Sequence, residues 1–302
     1  MAVVPTGCDA RFLYYWFTTI DMTRLANPGP VPSVNESDVA ALSMPLPTPP
    51  VQEAITDFLY AECAAIDRLI DHRQRVATLL DDRLAATIDN AVSGVAGETN
   101  LRLKHLLRRP LQYGAAEPVG HEERAWPRYI RTTDIDDDGS LRPDTFQSLS
   151  PDVARNYMLE DGDLLFTRSG ATVGKSILFA AEWGPACFAG YLIRAAIDRR
   201  KALPAFVAYF ARSSSYWAQI GGATIQATIQ NVNAERYGDL RLPVPTLGKQ
   251  AEIVSFLDSE SGRTRHRKAL MEVQKLRLAE RRQALITAAV TGQIAIPGAA
   301  RT

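Results

Sequence analysis

Leu240-Arg241-Leu242-Pro243-Val244-Pro245-Thr246, leading into a run that starts Gln250-Ala251-Glu252-Ile253, repeats an earlier stretch of the same chain. Leu42-Ser43-Met44-Pro45-Leu46-Pro47-Thr48 leads into Gln52-Glu53-Ala54-Ile55 at a constant separation of 198 residues. The same separation links Val34-Asn35 to Val232-Asn233, Phe58-Leu59 to Phe256-Leu257, Glu62 to Glu260, Arg83 to Arg281, Ile88 to Ile286, Ala91-Val92 to Ala289-Val290 and Gly94 to Gly292. An ungapped correspondence over about sixty residues makes this a repeat protein whose period far exceeds that of a solenoid. Each unit is therefore a globular part joined to a long helix.

Proline disfavours helix in the residue before it and suits a first helical turn, so Pro45, Pro47, Pro49 and Pro50 predict an extended approach and a sharp helix start, with Thr48 as N-cap. Ile55, Leu59, Ile66, Leu69, Val76, Leu80, Leu84 and Ile88 then recur at three- and four-residue steps, one apolar stripe running towards Gly94. A helix of about 43 residues is roughly 65 Å long and outruns any small core, so its stripe needs a second helix. The repeat at residues 247–292 is the natural partner. Residues 51–95 carry four arginines against eight carboxylates, whereas residues 246–294 carry nine bases against five, balances of −4 and +4. Opposite charge on two facing helices favours an unlike pair, weakly per contact and selectively in sum. The polar stretch Ser259–Lys268, with Gly262 inside it, is expected to interrupt the second stripe.

Residues 11–20, Arg-Phe-Leu-Tyr-Tyr-Trp-Phe-Thr-Thr-Ile, are too apolar for water and too short for a core of their own. At the 198-residue offset they match residues 209–218, in a region where Phe206, Tyr209, Phe210, Tyr216 and Trp217 read as core. The chain is thus expected to begin inside a unit, with residues 95–199 having no counterpart in the first copy. Between the helices, 128–131, 162–168, 176–179 and 190–194 read as short strands and 204–220 as a helix. The fold class expected is α+β: one complete mixed α/β unit at 96–245, long helices at 48–95 and 246–294 pairing as an antiparallel coiled coil, a remnant of a second unit at 1–47, and a tail at 295–302.

Chemistry is read mostly by what fails. Gly170-Ala171-Thr172-Val173-Gly174-Lys175-Ser176 has three residues between its glycines where a P-loop needs four, and Ser-Ile-Leu-Phe-Ala after it reads as a strand, not a helix. Asp134–Asp138 with Gly139 lacks the glutamate that closes a calcium loop and reads as an acidic hairpin turn. Cys8, Cys63 and Cys187 are scattered, as are the four histidines, and no nucleophile has a matched base, so neither catalysis, a metal nor a cofactor is expected. The absence of an 18-residue apolar run and of a basic start before Ala10 predicts a cytoplasmic protein with no membrane contact. What remains is polar loops. Arg and Asn or Gln read base edges through bidentate contacts, while Lys and Thr hold phosphates. Candidate DNA-binding residues are Arg131, Thr132, Arg168, Ser169, Thr172, Lys175, Gln226, Thr228, Gln230 and Asn231.

Together the repeat, the Pro-x-Pro approach and these loops resemble the specificity subunits of type I restriction-modification systems. Pro243-Val244-Pro245-Thr246-Leu247-Gly248-Lys249-Gln250 is similar to the Pro-Leu-Pro-Pro-Leu-x-Glu-Gln join of that family, with Lys249 in place of its glutamate. Glu280 to Gly292 resembles the family's helix ending, and Gly162–Gly170 a strand and loop of its recognition domains. The resemblance implies a non-catalytic adaptor. One target-recognition domain would read half of a bipartite site on double-stranded DNA, the helices would act as a ruler between halves, and Arg281, Arg282 and Gln283 would dock modification subunits that methylate adenine. A restriction subunit would then join. The family pattern also implies that the first recognition domain lacks its initial hundred or so residues. Three readings stay open: a working subunit, a half-subunit completed by a second specificity chain or left as an inactive recombination remnant, and a coiled-coil interaction protein without DNA readout.

Overall fold

The computed structural model describes residues 7–27, 33–93, 99–117, 121–136, 140–221 and 231–298. In chain order come α1 (Ala10–Thr18), α2 (Met22–Leu25), α3 (Glu36–Ala40) and the long α4 (Pro49–Ser93). The α/β part follows with β1 (Thr99–Arg102), β2 (Gln112–Tyr113), β3 (Arg128–Ile130), α5 (Pro151–Ala154), β4 (Asp163–Thr167), β5 (Ser176–Leu178), β6 (Ala186–Phe188) and β7 (Leu192–Ala196). It closes with α6 (Pro204–Phe210), α7 (Ser214–Gly221), α8 (Ala234–Asp239), β8 (Arg241–Val244) and the second long helix α9 (Leu247–Val290). The class is α+β, and α4 and α9 start 198 residues apart. Two compact units divide the chain, Met1–Leu80 with Arg265–Thr302 and Asp81–Thr264.

The first unit is helical. Phe12, Tyr15 and Trp16 of α1 pack on Ile55, Leu59 and Cys63 of α4 and on Ile286, Ala289 and Val290 of α9. In the second unit the other ends of the long helices meet: Leu84, Ile88 and Val92 of α4 share a core with Ile253 and Leu257 of α9 and with Phe206 and Phe210 of α6. Start meets end in each unit, which is the antiparallel pairing expected. Arg282 pairs with Asp67 at 3.1 Å across the two helices of the first unit. The apolar stripe of α4 runs through Cys63, Ile66 and Ala77, and Leu69, expected within it, is exposed instead.

Each long helix starts on a buried glutamine. The Gln52 amide donates to the Pro47 carbonyl (2.7 Å), and its Oε1 accepts from the Asp9 backbone N–H at the head of α1 (2.8 Å). Gln250 does the same with the Pro245 carbonyl (2.8 Å) and the Leu203 N–H at the head of α6 (2.7 Å). Buried peptide groups must be satisfied, and one side chain here satisfies both the extended approach and the neighbouring helix. These bonds also correct the alignment of the aromatic segment. Asp9 stands where Leu203 stands, an offset of 194, so residues 11–20 answer to 205–214 and not to 209–218. Phe12 then matches Phe206 and Tyr15 matches Tyr209, all four buried. The four-residue difference arises between α1 and α3, because Glu36 and Ala234 again start their helices 198 apart.

Two further expectations change, and a third holds. The helix predicted over 204–220 is two helices, because the fully buried Ser213 donates to the Phe210 carbonyl and accepts from the Tyr216 N–H, turning the chain between them. Trp217, expected in the core, is 42% exposed. Ser259–Lys268 interrupts the apolar stripe of α9 as expected, its one buried residue being the polar Ser261, while the helix itself runs through unbroken. A polar partner meets its start: the Tyr209 hydroxyl donates to Asp258, just before the stretch, at 2.7 Å and lies 3.3 Å from the buried Ser261 hydroxyl.

The sheet of the second unit has the order β2-β7-β4-β5, all antiparallel, and β3 pairs in parallel with β6 beside it. Every residue of β4 and β7 is buried, as expected of central strands covered on both faces. Arg241–Val244, the extended approach to α9, pairs antiparallel with β1, with Pro243 opposite Asn100. That two-stranded edge tolerates a proline because no ladder needs its missing N–H. Beyond α9, Gly292 takes φ of +71°, and the Gln293 N–H returns to the Ala288 carbonyl at 2.8 Å, a glycine-ended helix stop. Among the described residues no helix is long and apolar enough to cross a membrane.

Gln250→Leu removes both hydrogen bonds while retaining bulk, and leaves the Leu203 N–H and Pro245 carbonyl buried without a partner. The expected loss is about 1–3 kcal/mol of unfolding free energy, read as a lower urea midpoint with an unchanged slope. Gln52→Leu should show a loss of the same order in the first unit.

Candidate nucleic-acid interface

The register brings five strand ends of the second unit to one rim. β4 ends at Thr167 opposite Leu192, where β7 begins, and β2 ends at Tyr113 opposite Ile193. β5 begins at Ser176 opposite Phe166, and β3 ends at Ile130 opposite Phe188. The rim is thus formed by Arg131, Tyr113, Tyr191, Lys175 and the loop starting at Arg168. Two glycines permit it. A Cβ on Gly114 would lie 2.3 Å from the Phe188 and Ala189 carbonyl oxygens, and one on Gly190 would lie 3.1 Å from the Ala115 oxygen. The chains cross there at a distance that side chains would prevent, and each glycine sets a tyrosine beside it on the rim, Tyr113 at 38% and Tyr191 at 66% exposure.

The loop 168–175 is held from below. The Tyr237 hydroxyl donates to the Thr167 carbonyl and the Tyr216 hydroxyl to the Gly174 carbonyl, both at 2.6 Å, and both rings stack on Phe166. Burial pushes the pKa of both phenols well up, so they remain donors throughout the physiological range. Within the loop the Gly174 N–H donates to the Thr167 carbonyl, the Thr167 N–H to the Lys175 carbonyl and the Lys175 N–H to the Thr172 carbonyl. Gly170 and Gly174 take φ of +87° and +86°, the left-handed region open to glycine. The strand β5 follows, not the helix a P-loop requires.

Among the described residues, Arg168 is an arginine of this rim with no acid at its head. Its backbone is fixed on both sides, N–H to the Tyr191 carbonyl at 2.9 Å and carbonyl from the Val232 N–H at 2.7 Å. Its guanidinium lies 4.7 Å over the Tyr113 ring, and its buried Nε has no hydrogen-bond partner. Ser169 forms a backbone bridge with Asn231, so both join the same cluster. Arg131 differs: it makes a forked pair with the buried Asp134 (2.8 and 3.2 Å) and also donates to the Thr145 carbonyl at 2.9 Å, a knot that holds the turn containing Thr132. After it Ile135 bridges Leu141 antiparallel, while Asp137, Asp138 and Gly139 of the expected acidic turn lie outside the described residues. Gln226, Thr228 and Gln230 lie outside the described residues. Of the three helix residues, Arg282 pairs with Asp67 and the Gln283 amide donates to the Thr18 carbonyl at 2.7 Å, while Arg281 points to solvent.

Away from the rim, charges are spent internally. The buried Asp163 receives Arg108 at 3.1 Å and lies 3.6 Å from the buried Arg194, with Arg108 and Arg109 also pairing with Glu160. Hydrogen bonds from Arg108 and Arg109 hold the Glu160 carboxyl below its ordinary range. Burial pushes the Cys8 and Cys63 thiols up, and that of Cys187 up to about 12, so all three stay protonated at neutral pH. Among the described residues no three His, Cys, Asp or Glu side chains gather as a metal site.

Tyr113, Tyr191 and Trp217 escape a search for polar readers because nothing but their neighbouring or overlying glycines marks them: Gly114, Gly190, and Gly174, where a Cβ would lie 2.7 Å from the Trp217 ring. Gly114→Ala should cost about 1–3 kcal/mol in folding by overpacking the strand crossing, seen as a lower melting temperature.

Comparison with known proteins places this architecture. No family model matches the chain. Over 91 residues it is 31% identical to the StySPI specificity subunit of a type I restriction enzyme from Salmonella potsdam, a stretch that is 30% of this chain and 20% of that subunit. Among solved structures, a chain from an assembly of the type I restriction-modification system matches with a TM-score of 0.74 at 17% identity, over 95% of this chain and 72% of that one. The HsdS subunit from Thermoanaerobacter tengcongensis matches with a TM-score of 0.52 at 16% identity, over 94% and 70%. The chain shares the fold of type I specificity subunits and, along one stretch, their sequence.

Proposed function

We propose that this chain is the DNA-reading specificity subunit of a type I restriction-modification complex, with base readout centred on the rim around Arg168. The observation that carries the reading is a guanidinium held over an aromatic ring, without a carboxylate, at a strand-end rim of this fold. In the same domain Arg108, Arg131, Arg199 and Arg200 pair with acids, whereas Arg168 pairs with none among the described residues. An arginine fixed and left unpaired is poised for an acceptor from outside, and guanine O6 and N7 or a phosphate supply it. Ser169, Thr172, Lys175 and Asn231 surround it with phosphate- and base-binding groups. Arg131 and Thr132 contribute at the next strand end by shaping a turn, with the arginine head already engaged.

In this reading 96–245 is the recognition domain, 48–95 and 246–294 are the spacer helices, 1–47 is the end part of another recognition domain and 295–302 a tail. The chain's partners are double-stranded DNA, modification subunits that methylate adenine, and a restriction subunit. The chain itself carries no catalysis and works in the cytoplasm. Arg281, exposed on α9, is the member of its trio able to reach a modification subunit, with Arg282 and Gln283 shaping the helix beside it. A second specificity chain would supply the other half-site where one chain reads only one.

Selection of duplexes from a randomised pool by the chain together with its modification subunit should enrich a sequence. Binding should fall steeply with salt through counterion release. Arg168→Ala should cost about 1–3 kcal/mol at one base pair and relax preference there, whereas Lys175→Ala should weaken all sequences alike and lower the salt slope by about one. Equal affinity for every sequence in the pool would leave a coiled-coil interaction protein as the better account.

A further inference from the structure

We infer that Tyr113 is the positioning residue that makes Arg168 a reader: its ring fixes the guanidinium in one direction, and its hydroxyl ties that direction to the segment beginning at Asn231. This deepens the function proposed above and rests on it. A free arginine head samples many rotamers, and only part of them present its donors to a given base edge. Ordering it in advance removes that loss from binding. The ring face 4.7 Å from the guanidinium carbon supplies the order without taking up hydrogen-bond donors, as a carboxylate would. Arg131, clasped by Asp134, is the counter-example a few residues along the rim.

The tyrosine is itself held on three sides. Its backbone pairs with Ile193 in the sheet. Gly114 after it threads against the Phe188 and Ala189 carbonyls, so the strand end has no freedom to shift. Its hydroxyl accepts from the Ala234 N–H at 3.0 Å, at the start of α8. The same short segment returns to Arg168 through the Val232 N–H, and to Ser169 through the bridge with Asn231. Arg168, Tyr113 and residues 231–234 thus form a closed loop of contacts: ring to guanidinium, hydroxyl to backbone, backbone to backbone. A shift of any one moves the direction in which the arginine points.

The consequence is a coupling between two residues of which one makes no base contact through hydrogen bonds. The measurement is a double-mutant cycle on discrimination, the ratio of affinities for the enriched duplex and for a duplex changed at the base pair that Arg168→Ala relaxes. The full chain with its modification subunit is used throughout. Tyr113→Leu keeps bulk and removes the π face; Tyr113→Phe keeps the face and removes the hydroxyl. Tyr113→Leu should lower discrimination at that base pair by about fivefold or more with the salt slope unchanged, and adding it to Arg168→Ala should cause no further loss. Tyr113→Phe, which keeps the ring face and loses the bond from the Ala234 N–H, should lower discrimination measurably but by less than Tyr113→Leu. Melting temperatures of the single variants identify any general unfolding, which would lower affinity for both duplexes alike and leave their ratio intact. Full discrimination in Tyr113→Leu, or losses that add to those of Arg168→Ala, would overturn the inference while leaving DNA reading in place. A pool with no enriched sequence would overturn both.

Discussion

The whole arrangement depends on how a long helix begins. An isolated helix draws little stability from its own hydrogen bonds, and its first N–H groups and the approach to it need partners. At both copies one buried glutamine supplies those partners, bonding the proline-bound carbonyl behind it and the first N–H of a short aromatic helix beside it. Neither bond is strong alone, roughly 1 kcal/mol net. Their importance is geometric, because leaving the two peptide groups unpaired in a buried site costs more than making the bonds gains. The glutamine therefore fixes where the aromatic helix sits on the long one, and the apolar residues then fill in: Phe12 against Leu59 in one unit, Phe206 against Leu257 in the other.

That constraint explains why the repeat was legible in the sequence and where it was not. Residues that face both the partner helix and the short helices recur with identity, as Leu59 with Leu257, Ile88 with Ile286 and Val92 with Val290, all buried. Most exposed positions drift, Glu62 with Glu260 and Arg83 with Arg281 excepted, and their drift carries the charge difference between the two helices. The register of α1 was lost because an aromatic run has no internal mark of phase: Phe-Leu-Tyr-Tyr-Trp-Phe fits Tyr-Phe-Ala-Arg as well as it fits Phe-Val-Ala-Tyr-Phe unless the glutamine bond is known. Leu69 was misplaced for a related reason, since a stripe written at three- and four-residue steps can follow either of two neighbouring ridges, and Cys63, Ile66 and Ala77 select the one that is buried.

The rim was harder to read than the frame. Arg168, Ser169, Thr172, Lys175 and Asn231 are polar residues in a glycine-containing loop and can be picked out by chemistry. Tyr113 and Tyr191 cannot, because a tyrosine beside a glycine in a chain with ten tyrosines has no distinguishing pattern until the strands are laid beside one another. The distinction between Arg131 and Arg168 shows in the sequence only as an acid three residues after the one and not the other. Both follow a strand and both precede a polar turn. Only the fold shows that Asp134, three residues after Arg131 and itself buried, takes that arginine's donors, whereas no acid stands three residues after Arg168.

The contrast between the two arginines bears on how such a rim could change the side chains it offers while its fold stays put. Phe166, Tyr216 and Tyr237 anchor the loop 168–175 through backbone carbonyls at Thr167 and Gly174. Backbone anchors are indifferent to which side chains the loop carries, so substitution at 168, 169, 172 or 175 changes the face offered without disturbing the support. Substitution below, at the stacked aromatics, leaves a buried phenol or carbonyl unpaired and is felt as stability. Holding the loop and, on the proposed function, reading are thereby carried by different atoms of the same residues, main chain for the one and side chain for the other. An arginine whose N–H and carbonyl are both bonded, while its guanidinium rests on a ring without an acid, is that separation within a single residue.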